Sequence, residues 1–325
     1  MSVKKQDAVL VIGELNMDMI LDEVESFPEL GKEKMAGGFN LTLGSSSAIF
    51  ASNIARLGVK TGFSGMIGDD DFGTKVIHQL QKYGVDTSFI KTSQKHKTGI
   101  TVIMRHNNDR AMVTYPGAMS HFSLKDISPE AFDKARHLHI SSIFLQPGIK
   151  KDLFQIIEKA KSQGLTVSID PQWDPDEKWD LDIKRLISNI DFFLPNEAEF
   201  LNFIPASTVE KGLSEFKADI GNCTIVVKRG TEGATFLNKS QMKTIPAFIN
   251  KEVSDAVGAG DSFNAGFIYR FLKGCPIEKC ITFANITGAV STTKAGGTSA
   301  ISSLGEVLNI AKDKLSITNL DDFTG

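Results

Sequence analysis

Residues 253–267 hold the chain's densest chemistry. Gly258, Ala259 and Gly260 stand between Asp255 and Asp261, and a helix-forming run follows. Small residues ahead of a helix let the backbone approach a ligand, and the first-turn N–H groups have no partner within the helix. With the positive end of the helix dipole they make a site for an anion such as phosphate. A carboxylate at its mouth would repel a merely bound anion. It makes sense if the site transfers a phosphoryl group and Asp261 accepts the proton of the attacking hydroxyl. A plain turn followed by a dipole-favoured acidic residue accounts for the same letters without a ligand. Asp255 and the stripe Phe263, Phe267 and Phe271, with Ile268 and Leu272 beside it, favour the functional reading, because the stripe would anchor the helix in a core.

Other polar groups sit where strands should end. Asn16 and Asp18 are two apart, so in extended chain they point the same way. An amide beside an acceptor carboxylate suits paired sugar hydroxyls, and a polar strand–loop junction explains them equally well. Gly44 opens a serine run, Ser45, Ser46 and Ser47, that offers hydroxyls to a ligand or simply caps a helix. Asn196 and Glu199, three apart at a helix start, lie on one face. They fit a water-coordinated Mg²⁺ or a capping box. Asp170, Pro171 and Gln172 form a further cluster, as do residues 228–233, which run from Lys228 to Gly233. Asp69, Asp70 and Asp71 open a helix, where the dipole explains acidic residues without a metal. His137 and His139 share a strand face and have no third ligand nearby in sequence.

The elements that must position these residues alternate. Strands are expected near 8–12, 61–64, 138–144, 165–169, 191–194, 223–228 and 233–237. Helices are expected near 48–58, 72–83, 150–163, 179–189, 196–203, 207–219, 260–273, 276–293 and 303–314. This order predicts an α/β fold with a mostly parallel sheet between helices, binding its ligands at the carboxyl ends of the strands. Residues 99–104 and 111–115 form a hairpin about a turn at 106–109, and residues 19–36 suggest another. The first interrupts the alternation and suits a lid or a secondary sheet, and the second would stand away from the core.

The 325 residues are 41% hydrophobic and 23% charged, with a net charge of −3, which favours neither a nucleic-acid nor a membrane-surface partner. No apolar run reaches spanning length, and residues 1–12 read as a polar start and a buried strand with no signal peptide. Cys223, Cys275 and Cys280 match no metal or redox spacing and suit free thiols in a reducing cytoplasm.

Together these motifs resemble the ribokinase-like, or PfkB, family of carbohydrate and nucleoside kinases, from Val9 to about Leu308. Residues 255–267 look like its C-terminal signature, and residues 44–58 like its N-terminal glycine motif. Residues 65–73, with Gly84, Val85 and Asp86 downstream, and residues 196–199 and 226–233 complete the order. The resemblance implies one kinase domain over 1–325, with a small β lid from about 14–36 and 98–120, that phosphorylates a sugar hydroxymethyl group with ATP and Mg²⁺. By similarity Asp261 is the base, and Gly258, Ala259 and Gly260 hold the transferring phosphoryl group. Asn16, Asp18, Gly44, Ser45 and Ser46 would bind the sugar. Asn196, Lys228, Gly230, Gly233 and Asn285 would border the nucleotide, and Glu199 would meet Mg²⁺ through water. Asp255 and Val257 fall where relatives hold a monovalent cation such as K⁺, and a homodimer through the lid is implied.

Four departures stand out. Ser45 replaces a glycine and Ile49 an asparagine, which puts ribose in doubt and leaves room for a less polar acceptor. Ala256 stands where threonine is common, and Gln172 where asparagine is. A nucleoside kinase on the same fold would need an apolar wall, for which Phe39, Ile49 and Met119 are candidates. A sugar- or nucleotide-binding regulator would gain by losing Asp261. A dinucleotide fingerprint after the first strand and a Walker motif are both missing.

Overall fold

A computed structural model describes residues 8–318, except 108, 219 and 240, together with Phe323. Asn108 of the expected turn, residues 1–7 and most of the C-terminal tail lie outside the described residues.

The strands, in chain order, are β1 (Ala8–Ile12), β2 (Asn16–Asp22), β3 (Gly38–Leu43), β4 (Lys60–Ser64), β5 (Met66–Gly68), β6 (Val85–Asp86), β7 (Lys91–Ser93), β8 (Gly99–His106), β9 (Asp109–Tyr115), β10 (His137–Ser141), β11 (Thr166–Asp170), β12 (Phe192–Phe193), β13 (Thr224–Lys228), β14 (Ala234–Asn238) and β15 (Gln241–Ile245). Nine of them form one sheet in the order β15-β14-β13-β12-β11-β10-β1-β4-β6. Every pairing from β13 to β6 is parallel, and β14 and β15 run antiparallel at one edge. The parallel strands read as near-continuous apolar runs, such as Val9-Leu10-Val11-Ile12, because helices cover both of their faces. The order changes direction between β1 and β10, and at such a switch point open sheets leave a crevice. The site residues gather just beyond these strand ends.

Four strands form a second sheet, β3-β2-β8-β9, in which β2 lies parallel to β8 and antiparallel to β3. It draws on both stretches expected to stand apart and adds β3, while residues 23–37 run without a strand.

The helix Ala259–Leu272 differs from the expected amphipathic stripe. Its residues Asp261 to Arg270 are all buried. On one side Asn53, from the helix Ser46–Arg56, donates to Ser262 Oγ at 2.9 Å. On another, a side chain at Gly266 would overlap Thr287 of the helix Ile277–Ser291, so the two helices touch backbone to side chain. Phe267 and Phe271 meet Phe192 of β12 edge-on, with ring centroids 5.1 and 4.6 Å apart. A helix enclosed on nearly every side buries its polar residues as well, here Asp261, Ser262, Asn264 and Arg270, which a single-face pattern understates. The expected helix at 179–189 shrinks to Ile183–Ile187, because Trp179 takes a left-handed φ of 51° and Asp182 caps the first turn through Arg185 N.

The remaining histidine and aspartate clusters are structural. Ser168 Oγ lies 2.7 Å from both His137 Nε2 and His139 Nδ1, and Phe50 stacks on His139. Burial keeps both imidazoles neutral, His137 with a pKa pushed down to about 3. Asp70 caps the helix Asp71–Lys82 through Gly73 N at 2.8 Å and also accepts from the Thr98 hydroxyl at 2.7 Å.

Candidate active site

Gly258 is the N-cap of the buried helix Ala259–Leu272, at φ 74°, and no side chain caps that end. A side chain at Gly258 would meet Gly297 Cα at 2.5 Å and Ile49 at 3.2 Å, so only glycine fits this left-handed turn. This end of the helix is left without a side-chain cap, and of its first amides Ala259 N donates to Ala256 O at 3.3 Å.

Asp261 lies in that first turn and is buried. Burial, then the nearby Asp170 carboxylate, push its pKa up to about 8, against the opposing pull of Lys228 and the Ser46 hydroxyl; Glu14 adds to the rise. Gln172, in a left-handed backbone at φ 60°, donates from Nε2 to Asp261 Oδ1 at 3.2 Å. A buried carboxyl poised near neutral pH matches a general base.

Beneath it lies a network that sequence reasoning only partly named. Asp170, at the end of β11, accepts on Oδ2 from Lys228 Nζ at 2.6 Å, Asn264 Nδ2 at 2.5 Å and Gln172 Nε2 at 3.0 Å. Lys228, expected to border the nucleotide, has its ammonium beneath the 258–260 turn, where a Cβ added to Gly260 would lie 3.4 Å from Nζ. Burial works against its charge, and the Asp170, Glu199 and Asp261 carboxylates overcome this and hold its pKa above the ordinary value. The strand end at Lys228 supplies this positive floor, and the strand end at Asp170 holds it in place through the ion pair.

Asn196 and Glu199 form a capping box: Asn196 Oδ1 accepts from Glu199 N at 2.9 Å, and Glu199 Oε2 accepts from Asn196 N at 2.9 Å. Of the two expected uses the structure shows the capping box, and Glu199 is also buried beside Lys228. Burial and Asp170 raise its pKa to about 7. Among the described residues no three His, Cys, Asp or Glu side chains converge as metal ligands. The donor set therefore fits a Mg²⁺ that arrives with phosphates and waters better than one caged by protein. Asn285 donates to the carbonyls of Ile245 and Pro246 at 3.2 and 3.0 Å and so braces that loop. Gly230 takes φ 54° with open space beside it, whereas a side chain at Gly233 would strike the Ile245 carbonyl.

The second polar group is built on β2. Asn16 Nδ2 donates to Asp18 Oδ1 at 2.8 Å and to Thr101 Oγ1 of β8 at 3.1 Å. Gly44 packs directly on this pair, and a Cβ there would overlap Asp18 Oδ1. Burial raises the Asp18 pKa to about 6, with Asn16 opposing and Glu14 assisting. Ser45 sits at φ 73°, a conformation that favours glycine, and is held by donating to Glu14 O at 2.6 Å while accepting from Ala48 N at 2.9 Å. We expect Ser45→Ala to lose this cap and about 0.5–2 kcal/mol of stability, read as a lower urea midpoint at unchanged m.

Glu14 escaped sequence reasoning. Its carboxylate is buried, accepts from the Ser47 hydroxyl and from Ser142 Oγ at 2.9 Å, and burial raises its pKa. Ile49 is buried against Gly258 and Gly297, where a Cβ added to either glycine would lie within 3.2 Å of its side chain, so this apolar residue packs under the turn. The three residues offered as a nucleoside wall have different surroundings: Phe39 is 64% exposed, Met119 is buried, and Ile49 lies under the turn.

Comparison with known proteins agrees with this geometry. Residues 6–304 match the profile of the pfkB family of carbohydrate kinases. An uncharacterized sugar kinase of Archaeoglobus fulgidus is 27% identical over 243 residues, covering 75% of this chain and 95% of that protein. The ribokinase of Bacillus subtilis is 25% identical over 302 residues, covering 92% and 97%. An E. coli protein named as a ribokinase II, solved with ATP and Mg²⁺, superposes with a TM-score of 0.82 at 25% identity, over 94% of this chain and 99% of that one. With its parallel sheet between helices, its separate small sheet and the buried Asp261 in the first turn of the helix Ala259–Leu272, this chain belongs to the pfkB family of carbohydrate kinases, ATP-dependent phosphotransferases that act on sugar hydroxyls.

Proposed function

We propose that the acceptor is a sugar whose hydroxymethyl group is phosphorylated, with Asp261 as the base. The observation that carries this is the buried Asp261 carboxyl within a helix N-terminus that no side chain caps, above the Lys228 ammonium. Asp261 takes the proton of the attacking hydroxyl. The amides of Gly258, Ala259, Gly260 and Asp261 face the charge that develops on the transferring phosphoryl group, and Lys228 adds its charge from below. Asn16, Asp18, Gly44, Ser45 and Ser46 hold the sugar. Asn196, Lys228, Gly230, Gly233 and Asn285 line or brace the side toward the nucleotide, and Glu199 holds Mg²⁺ through water. That ion supplies neutralisation of phosphate charge.

In this reading the second sheet is a lid over the sugar within one kinase domain. Its exposed Phe39, Met112, Val113 and Tyr115 suit a second copy of the chain, so sedimentation should show a homodimer. The three free thiols, Cys223, Cys275 and Cys280, suit a reducing cytoplasm.

The sugar site is tested by Asn16→Ala and Asp18→Ala. Each removes a hydrogen bond to a charged or amide group, and KM for the sugar should rise about tenfold or more while KM for ATP moves little. An unchanged sugar KM would remove these residues from the pocket. Asp18 also predicts a pH effect. With a pKa of about 6 it loses its charge as pH falls below that value, so the sugar KM should climb at acid pH in the wild type and stay flat in Asp18→Asn.

A further inference from the structure

Asp255 is a half-buried carboxylate at the foot of the phosphate turn. Its Oδ1 accepts from Val257 N at 3.0 Å, and its Oδ2 from Gly296 N at 3.1 Å and from Arg105 Nη2 at 3.2 Å. Gly296 adjoins Gly297, whose Cα abuts Gly258. One carboxylate thus ties its own turn, the loop after the helix Ile277–Ser291 and a strand of the second sheet. Burial alone would raise the Asp255 pKa. The two amides and the guanidinium overcome that and hold the group ionised.

The position was expected to suit a monovalent cation, and the side chains present do not fit one. Both carboxylate oxygens already hold donors, and the neutralising charge is a guanidinium 150 residues away in sequence. Arg105 is itself steadied by Asp22 of β2 at 3.5 Å. On β8, Arg105 and Thr101 are four residues apart and project from the same face, about 13 Å from each other along the strand. Thr101 touches Asn16, in the pair that would hold the sugar. One strand therefore spans from the acceptor site to the phosphate turn.

Resting on the sugar-kinase reading above, we propose that Arg105 is a positioning residue whose guanidinium stands where a dissolved monovalent cation would otherwise neutralise Asp255. It fixes the 255–258 turn relative to the acceptor-binding strands and makes the enzyme indifferent to K⁺. Because the charge belongs to the second sheet, the phosphate turn is fully braced only when that sheet is seated.

The test compares wild type, Arg105→Ala and Arg105→Lys in KCl and in tetramethylammonium chloride at equal ionic strength. Two quantities are read: Tm, which needs no acceptor, and kcat with the best sugar. Wild-type Tm and kcat should be the same in both salts. Arg105→Ala should lose roughly 10–100-fold in kcat with little change in the sugar KM, as when one partner of a half-buried charge pair is removed. Its kcat and Tm should recover in part with K⁺ or with millimolar guanidinium, and Arg105→Lys should keep most of the activity. A wild type that needs K⁺ overturns the proposal, as does an Arg105→Ala enzyme with unchanged kcat, or one that K⁺ and guanidinium leave unrescued. If Arg105→Ala does not fold, Arg105→Lys and the wild-type salt comparison still decide. A Tm that follows the prediction while no sugar supports turnover in any form would sink the sugar-kinase reading and leave the ion-pair substitution standing.

Discussion

Asp261→Asn should lower kcat by about 10²–10⁴-fold while ATP still binds with a Kd within about threefold of wild type. The substitution keeps the shape of the side chain and its place in the first turn of the helix, and removes only the ability to take a proton. The pH profile separates this from a general loss of structure. The Asp261 pKa stands at about 8, so the base is mostly protonated in the free enzyme at neutral pH. kcat/KM should therefore rise with pH through about 8 in the wild type, and that limb should vanish in Asp261→Asn. Stability should move the other way. The folded carboxyl binds its proton more tightly than the ordinary value of 3.8, so the native state holds more protons than the unfolded chain between those two pKa values. Its contribution is then fully present at acid pH and is lost as pH rises toward 8. A neutral asparagine has no such slope. The Tm of Asp261→Asn should overtake that of the wild type progressively as pH increases. A variant that is slower and also less stable at pH 8 would mean that the side chain is chiefly structural.

Lys228→Met should be the most destabilising single change near the site. It leaves Asp170, which is fully buried, with a charge facing only the amides of Asn264 and Gln172. Breaking a buried pair in this way costs about 3–5 kcal/mol, read as a lower urea midpoint. The double variant Asp170→Asn with Lys228→Met should regain most of that stability, since no buried charge is then left unpaired. Its activity should not return, because the positive floor under Gly260 is gone, and losing one preorganised electrostatic partner costs on the order of 10²–10³ in kcat. Recovery of both stability and turnover in the double variant would show that Lys228 serves only to neutralise Asp170.

These residues mark how far the sequence could be read. The turn at Gly258 and the helix after it were legible because their parts are local: three small residues, a helix and a carboxylate within one short run. The alternation of strands and helices was legible for the same reason, and so was the convergence of polar groups at strand ends. What joins them was not. Gln172 reaches Asp261 across 89 residues and Asn264 reaches Asp170 across 94, and no spacing rule covers such partners. Glu14 was missed because a charged residue after an apolar strand looks like the start of a loop, and only the surrounding serines reveal it as buried. The neighbours of Ile49, Gly258 and Gly297, could not be read either, because the sequence does not say which residues a buried helix face meets. Arg105, in an expected hairpin, carried no signal at all until the fold set it against Asp255.

The central claim is that Asp261 transfers a sugar's hydroxyl proton during ATP-dependent phosphorylation. The most direct measurement is ADP release, with the phosphorylated product identified by ³¹P NMR, across pentoses, hexoses, keto-deoxy acids and nucleosides, for the wild type beside Asp261→Asn. The account predicts one phosphorylated sugar per ADP from the wild type with at least one sugar, and almost none from Asp261→Asn. Product from nucleosides alone, tight ATP binding with no product from any acceptor, or undiminished turnover by Asp261→Asn would contradict it.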